Sequence, residues 1–112
     1  MFQLQIQENL VNQKNWENSI AITGAGSGFG AALALHYASA GWKVAVTDID
    51  KERAENTLSQ INQIGEEQHF SMALDITDAN DWQRLEAEVT ERWSGLALLV
   101  NNAGVAAAGN IE

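Results

Sequence analysis

From Ser19 onward the apolar residues fall into two alternating patterns: short continuous runs, and longer segments in which they recur every three or four positions. The first run, Ser19-Ile20-Ala21-Ile22-Thr23, predicts a strand, and the glycine-dense stretch Gly24 to Gly30 follows it directly. A helical segment then extends to Ala40, with Phe29, Ala32, Leu33, His36 and Ala40 at helical spacing and Gly41 where a left-handed terminating residue is wanted. Trp42 to Thr47 predicts a second strand that ends at Asp48. Asp50 is placed to cap a second helix with the stripe Ala54, Leu58 and Ile61, closed by Gly65. His69 to Leu74 predicts a third strand ending at Asp75, and Thr77 or Asp78 caps a third helix carrying Trp82, Leu85 and Val89 until Gly95 stops it. Leu96 to Val100 is the fourth strand, running into Asn101-Asn102-Ala103-Gly104. Residues 1–18 are rich in Gln and Asn and predict a poorly specified leader, leaving 19–112 as one folded unit.

The order β-α-β-α-β-α-β, with strands that read as unbroken apolar runs, predicts a parallel sheet covered on both faces. Right-handed crossovers then favour the strand order 3-2-1-4, the first half of a doubly wound, Rossmann-like α/β sheet plus the strand that begins its second half. The same apolar run at 96–100 would stand at an open edge of that truncated sheet, which predicts self-association or strand swapping through it.

Composition narrows the function classes. Fifteen acidic residues against six basic ones give a formal charge of −9, and the basic residues are scattered, so a nucleic-acid backbone is not the expected partner. Zero cysteines exclude a disulfide framework, a thiol nucleophile and thiolate metal sites. No export signal is visible, and no apolar run approaches the roughly 20 residues of a membrane span. A cytoplasmic protein without membrane contact is the expectation.

The candidate chemistry lies at the strand ends. Thr23-Gly24-Ala25-Gly26-Ser27-Gly28-Phe29-Gly30 sits between a strand and a helix. Glycines there let the main chain turn sharply and approach a pyrophosphate, and the helix N-terminus offers unpaired N–H groups to the anion. Glycine turns also occur for turning alone, and the context decides: an acid, Asp48, closes the second strand. Its carboxylate suits the two hydroxyls of an adenosine ribose and repels a 2′-phosphate. NAD is therefore the expected cofactor over NADP, although Lys51 and Arg53 keep NADP as the lesser alternative. Asp75 has two readings of equal weight: an acceptor for the adenine amino group, with the Ile76 N–H on a ring nitrogen, or simply the start of the next helix. Asn101-Asn102-Ala103-Gly104 reads as a small-residue strand end against which a cofactor ribose can lie, and equally as a turn whose amides tie strand ends together. His36 reads as a packed helix residue, His69 as a strand residue without a second His for a metal, and the four tryptophans as packing.

In that order and spacing, the glycine turn, Asp48, Asp75 and Asn101 to Gly104 resemble the short-chain dehydrogenase/reductase family, over about residues 18–109. The resemblance implies an NAD(P)-dependent oxidoreductase interconverting alcohol and carbonyl. It implies that Gly24, Ser27, Gly28, Phe29 and Gly30 hold the diphosphate side, Asp48 and Ile49 the adenosine ribose, and Asp75 and Ile76 the adenine. Asn102, Ala103 and Gly104 would hold the ribose near the nicotinamide. Phe29 replaces a more usual aliphatic residue, and its larger side chain can still face the helix. Family members carry out hydride transfer with a Ser and a Tyr-x-x-x-Lys pair beyond the Asn-Asn-Ala-Gly motif. Neither is found here: the one tyrosine, Tyr37, is followed four positions later by Gly41. The resemblance therefore implies the cofactor-binding N-terminal part of such an enzyme. The alternative is a non-catalytic dinucleotide-binding or self-associating half-domain.

Overall fold

The computed structural model describes residues 15–65 and 68–103. Four strands and three helices alternate: β1 (Ser19–Thr23), α1 (Gly28–Ser39), β2 (Lys43–Asp48), α2 (Lys51–Ile61), β3 (Phe70–Ala73), α3 (Ala79–Trp93) and β4 (Leu98–Asn101). The strands form one sheet in the order β3-β2-β1-β4, as the sequence predicts. All three pairings are parallel, and the register sets Ala21 beside Ala45 and Leu99, and Ile22 beside Val46 and Val100.

The unbroken apolar runs have a direct physical basis. Ile20, Ile22, Val44 and Val46 pack on one face of the sheet in a cluster with Ala34, Ala38, Ala54 and Ile61 from α1 and α2. Ala21 and Ala45 point to the other face, where Phe70, Leu85, Val89 and Trp93 form a second cluster under α3. Strands buried on both sides have no polar face to alternate. Each fully buried isoleucine contributes roughly 1.5–3 kcal/mol. The exposed ion pairs along the helices, such as Lys51–Glu55 at 4.0 Å, contribute at most about 1 kcal/mol each. Packing of the two clusters dominates.

Several expectations shift. The buried stripe of α1 is Gly30, Ala34 and Ala38, while Phe29, Ala32, His36 and Ala40 are exposed. This helix is apolar around its whole circumference, so periodicity alone does not select the face, and only small residues let it approach the sheet. His36 is accordingly a surface residue, its ring edge-on to Tyr37 at 5.4 Å. The β3 strand is shorter than predicted: His69 instead accepts the Val44 N–H at Nδ1, 3.1 Å away, and Leu74 extends the contact by donating to the Asp48 carbonyl at 2.9 Å. The β4 strand begins two residues late, because the Ala97 N–H is taken by the Ser19 hydroxyl at 3.0 Å. Ser94, at φ 65°, supplies the left-handed residue that ends α3, ahead of Gly95. Trp93 joins the core of α3, a buried position the stripe of Trp82, Leu85 and Val89 omitted.

The caps follow the sequence closely. Asp50 accepts from the N–H groups of Glu52 and Arg53 at 3.0 and 3.2 Å, and Asp78, chosen over Thr77, accepts from Asn80 at 2.9 Å. Of the expected leader, residues 1–14 lie outside the described residues. Residues 15–18 are bound to the lower end of the sheet, where Lys43 Nζ donates to the carbonyls of Asn15 and Glu17 at 2.5 and 3.2 Å.

Candidate functional site

Parallel strands deliver their C-terminal ends to one edge of the sheet, and the crevice there opens where the order reverses between β1 and β4. Four segments meet at this edge: the turn after β1, the end of β2, the end of β3, and the residues following β4.

The first connection runs between β1 and β4. Thr23 ends β1 opposite Asn101, donates its hydroxyl to Asn101 Oδ1 at 2.8 Å and accepts the Ala103 N–H at 3.1 Å. Asn102 Nδ2 donates to the Gly24 carbonyl at 3.2 Å. The two asparagines thus clamp the glycine turn to β4, which is the tying role read from the sequence. Thr23, unmarked as a site residue in the sequence reading, is the hub of this clamp.

The second connection holds the turn against β2. The Ala25 N–H donates to the Thr47 carbonyl and the Gly26 N–H to Asp48 Oδ2, each at 2.9 Å. Asp48 Oδ1 accepts the Asp50 N–H at 2.9 Å, so the carboxylate, only 8% exposed, is fixed from two sides. Close approach explains the glycine at 30: a Cβ there would lie 2.1 Å from the Gly24 carbonyl oxygen. Gly28 has the opposite character. Its φ of +57° favours glycine, and nothing lies within 4 Å of where its Cβ would be. The helix that begins here has Ser27 as its N-cap, with no side-chain hydrogen bond to the first turn. The first N–H groups of α1 therefore receive no side-chain hydrogen bond among the described residues.

The third wall comes from the end of β3. Asp75 Oδ1 accepts both the hydroxyl of Thr77, at 2.6 Å, and its N–H, at 2.9 Å. The Thr77 hydroxyl, then the Thr77 N–H, hold the Asp75 carboxyl below its ordinary range, so it is an acceptor only at neutral pH. The first turn of α3 pins the loop: Asp81 Oδ2 accepts the Asp75 N–H and Trp82 Nε1 donates to the Ile76 carbonyl, each at 2.9 Å. The Ile76 N–H is left without a hydrogen bond among the described residues.

These walls enclose a groove of about 650 Å³, lined by Gly24, Ser27, Gly28, Phe29, Asp48, Ile49, Asp75, Ile76, Asn102 and Ala103 among others. The candidate residues are therefore brought together, with four qualifications. Gly30 lies beneath the turn, buried, and Asn101 acts through Thr23. Gly104 is outside the described residues. Phe29, which could have faced the helix, stands 70% exposed at the groove. Two further residues line it: Leu74, which the sequence did not suggest, and Arg53, which it offered only as a cation keeping NADP as the lesser alternative. Arg53 sits one turn into α2, and its Nε is 3.5 Å from Asp50 Oδ2.

The groove is equipped to bind an elongated polar ligand carrying an anion at one end of α1 and hydroxyl or amino donors opposite two carboxylates. Among the described residues no group of three or more His, Cys, Asp and Glu could hold a metal ion. No described helix is long and apolar enough to cross a membrane.

Comparison with known proteins adds a family. The family model described as short chain dehydrogenase matches residues 18–112. An uncharacterised oxidoreductase of Thermotoga maritima is 40% identical over 93 residues, 83% of this chain and 36% of the relative. Among solved structures, a hydroxysteroid dehydrogenase from Escherichia coli matches with a TM-score of 0.71 and 32% identity over 80% of this chain and 38% of its own. A 3-ketoacyl-(acyl-carrier-protein) reductase from Brucella melitensis, complexed with NADH, matches with a TM-score of 0.66 and 31% identity, over 74% of this chain and 32% of its own. The chain thus spans about a third of the length of the relatives it matches.

Proposed function

The chain belongs to the short-chain dehydrogenase family, and from that premise we propose that its groove binds NAD as the cofactor-binding part of an alcohol/carbonyl oxidoreductase. The observation that carries this reading is the juxtaposition of an uncapped α1 N-terminus with the Asp48 carboxylate across one groove. In this reading the main-chain N–H groups of Ser27, Gly28 and Phe29 receive the diphosphate. Asp48, already oriented by Gly26 and Asp50, takes the adenosine ribose hydroxyls on its remaining lone pairs. Ile49 flanks the ribose, Asp75 accepts from the adenine amino group, and the Ile76 N–H serves a ring nitrogen. Asn102 and Ala103, with Gly104, form the floor for the second ribose.

NAD, when bound, supplies the nicotinamide C4 that accepts or returns a hydride. The described residues bind and orient; none of them stands in the groove as an acid–base pair for the accompanying proton. The proton-transferring Ser and Tyr-x-x-x-Lys of the family are absent from these 112 residues, so turnover is assigned to the longer enzyme that the relatives represent. NAD is preferred to NADP because the fixed Asp48 charge repels a 2′-phosphate. We place the protein in the cytoplasm, with 19–112 as a partial Rossmann domain.

A second reading, self-association, is favoured by one observation. Leu98 and Leu99 are 37% and 47% exposed on β4, which pairs only with β1 among the described strands. Such an apolar edge offers unpaired main-chain groups to another strand.

Amide chemical shifts of the nitrogen-labelled chain test the main reading. Addition of NAD should move resonances of Gly24 to Phe29, Asp48, Ile49 and Ile76 together. Shifts confined to other surfaces contradict it.

A further inference from the structure

Among the described strands β3 pairs with β2 alone, so the sheet has a second open side, far from β4. The Leu74 N–H donates to the Asp48 carbonyl. Alternate residues of a strand turn their main-chain groups to opposite sides, so Ser71 and Ala73 face the open one. The Ala73 carbonyl accordingly accepts Arg84 Nη2 at 3.2 Å, from outside the sheet. Beside this edge runs a groove of about 370 Å³ between β3 and α3. Phe70 and Met72 give it an apolar floor, continuous with the cluster under α3. Arg84 stands at the Ala73 end, and Arg92 at the other, its guanidinium 4.5 Å above the Phe70 ring. Each is matched by an acid, Asp81 at 2.9 Å and Glu88 at 2.7 Å, so the groove carries little net charge.

The first fourteen residues join the fold beside this groove. Asn15 Nδ2 donates to the Arg92 carbonyl at 3.3 Å, and Lys43, the first residue of β2, holds the Asn15 carbonyl at 2.5 Å. Asn15 is thus fastened between the strand next to β3 and the helix residue that covers Phe70. Upstream, Phe2-Gln3-Leu4-Gln5-Ile6-Gln7 alternates apolar and polar residues without a charge. A period of two suits a strand with one buried face, and a neutral segment gives up no ionic hydration on entering a neutral groove. The nine steps from Ile6 to Asn15 reach up to roughly 30 Å, against about 13 Å for the length of β3.

We propose that residues 2–7 add to the open edge of β3 as a fifth, antiparallel strand, with Phe2, Leu4 and Ile6 in the groove and the glutamines on the opposite face. The direction follows from the tether: the chain reaches Asn15 at the Phe70 end, so residues 2–7 run towards that end from Ala73. Main-chain groups of Ser71 and the Ala73 N–H gain partners, and an exposed edge is covered. This surface is independent of the dinucleotide groove.

The test is amide hydrogen exchange of the 112-residue chain, read by NMR. Ser71 and Ala73 should exchange slowly, and Leu4→Asp with Ile6→Asp should quicken both by roughly five- to tenfold, the scale of one net hydrogen bond. Gln5→Glu, on the opposite face, should leave them slow. Because the chain has no cysteine, a nitroxide on Gln5→Cys is a unique label. It should broaden the amides of Phe70 to Ala73 and spare those of Leu98 to Asn101. Circular dichroism verifies that each variant is folded. Fast exchange at Ser71 and Ala73 in the wild type, unchanged rates in the double variant, or broadening at β4 overturns the proposal. So does broadening of β3 that arises only when nitrogen-labelled chains are mixed with separate nitroxide-bearing ones, which places the segment on a second copy.

Discussion

Asp48 Oδ2 accepts the Gly26 main-chain N–H at 2.9 Å, so the last residue of β2 and the turn after β1 form one rigid unit. In the proposed reading the bond joins the piece that would face a phosphate to the piece that would face a sugar. Asp48→Ala should cost stability as well as binding: it strands two N–H groups at a site only 8% exposed, worth about 1–3 kcal/mol. Urea unfolding checks the first effect and NADH titration the second. Asp48→Asn should lose less stability than Asp48→Ala.

Two glycines of the same turn should respond oppositely to alanine. Gly30→Ala drives a Cβ to 2.1 Å from a main-chain oxygen, which only movement of the backbone relieves, at roughly 3 kcal/mol. Gly28→Ala meets open space and carries only left-handed strain, about 1–2 kcal/mol. Its methyl nevertheless projects where a diphosphate would approach. Thermal unfolding should rank Gly30→Ala as the more destabilised, whereas Gly28→Ala should stay folded and lose nucleotide affinity.

Thr23→Val tests the clamp between β1 and β4. It keeps the volume of a buried side chain and removes the bonds to Asn101 and Ala103 at 2.8 and 3.1 Å. The expected loss is about 1–3 kcal/mol, with hydrogen exchange quickening first at Asn101 to Ala103.

Asp75 gives a pH signature. Its folded pKa is depressed by Thr77, so this carboxylate's contribution to stability is present above the unfolded pKa, about 3.9, and is lost as pH falls through the lower folded value. Carboxyl-carbon NMR should show Asp75 titrating below the ordinary range of an aspartate. Thr77→Val removes the larger cause and should raise that midpoint. An Asp75 midpoint unmoved by Thr77→Val would refute the assigned cause.

The exposed β4 edge predicts concentration-dependent association in sedimentation velocity. A lysine in place of Leu99 puts charge on the edge and should shift the distribution towards monomer. Equal sedimentation of wild type and Leu99→Lys at all concentrations would count against pairing through β4.

Much of this arrangement was legible in the sequence because local chemistry dictated it. Glycines at 24, 26 and 30 mark a turn that side chains would obstruct, Asp50 and Asp78 mark helix starts, and unbroken runs such as Ile20-Ala21-Ile22 mark strands buried on both faces. The orientation of α1 was not legible, because a helix apolar on every side gives no angular preference. Nor was the hub role of Thr23, whose partner Asn101 is 78 residues away and becomes a neighbour only through the β1–β4 register. That Arg53, noted in the sequence as a cation beside the NADP alternative, lines the groove depends on how closely α2 packs under Gly26.

The central claim is that this groove accepts a dinucleotide, and a titration of the purified chain with NADH, exciting tryptophan and observing nicotinamide emission, addresses it most directly. The account predicts a saturable signal that NAD displaces and that Gly28→Ala weakens. A folded chain showing no saturable transfer, or transfer indifferent to Gly28→Ala, would contradict it.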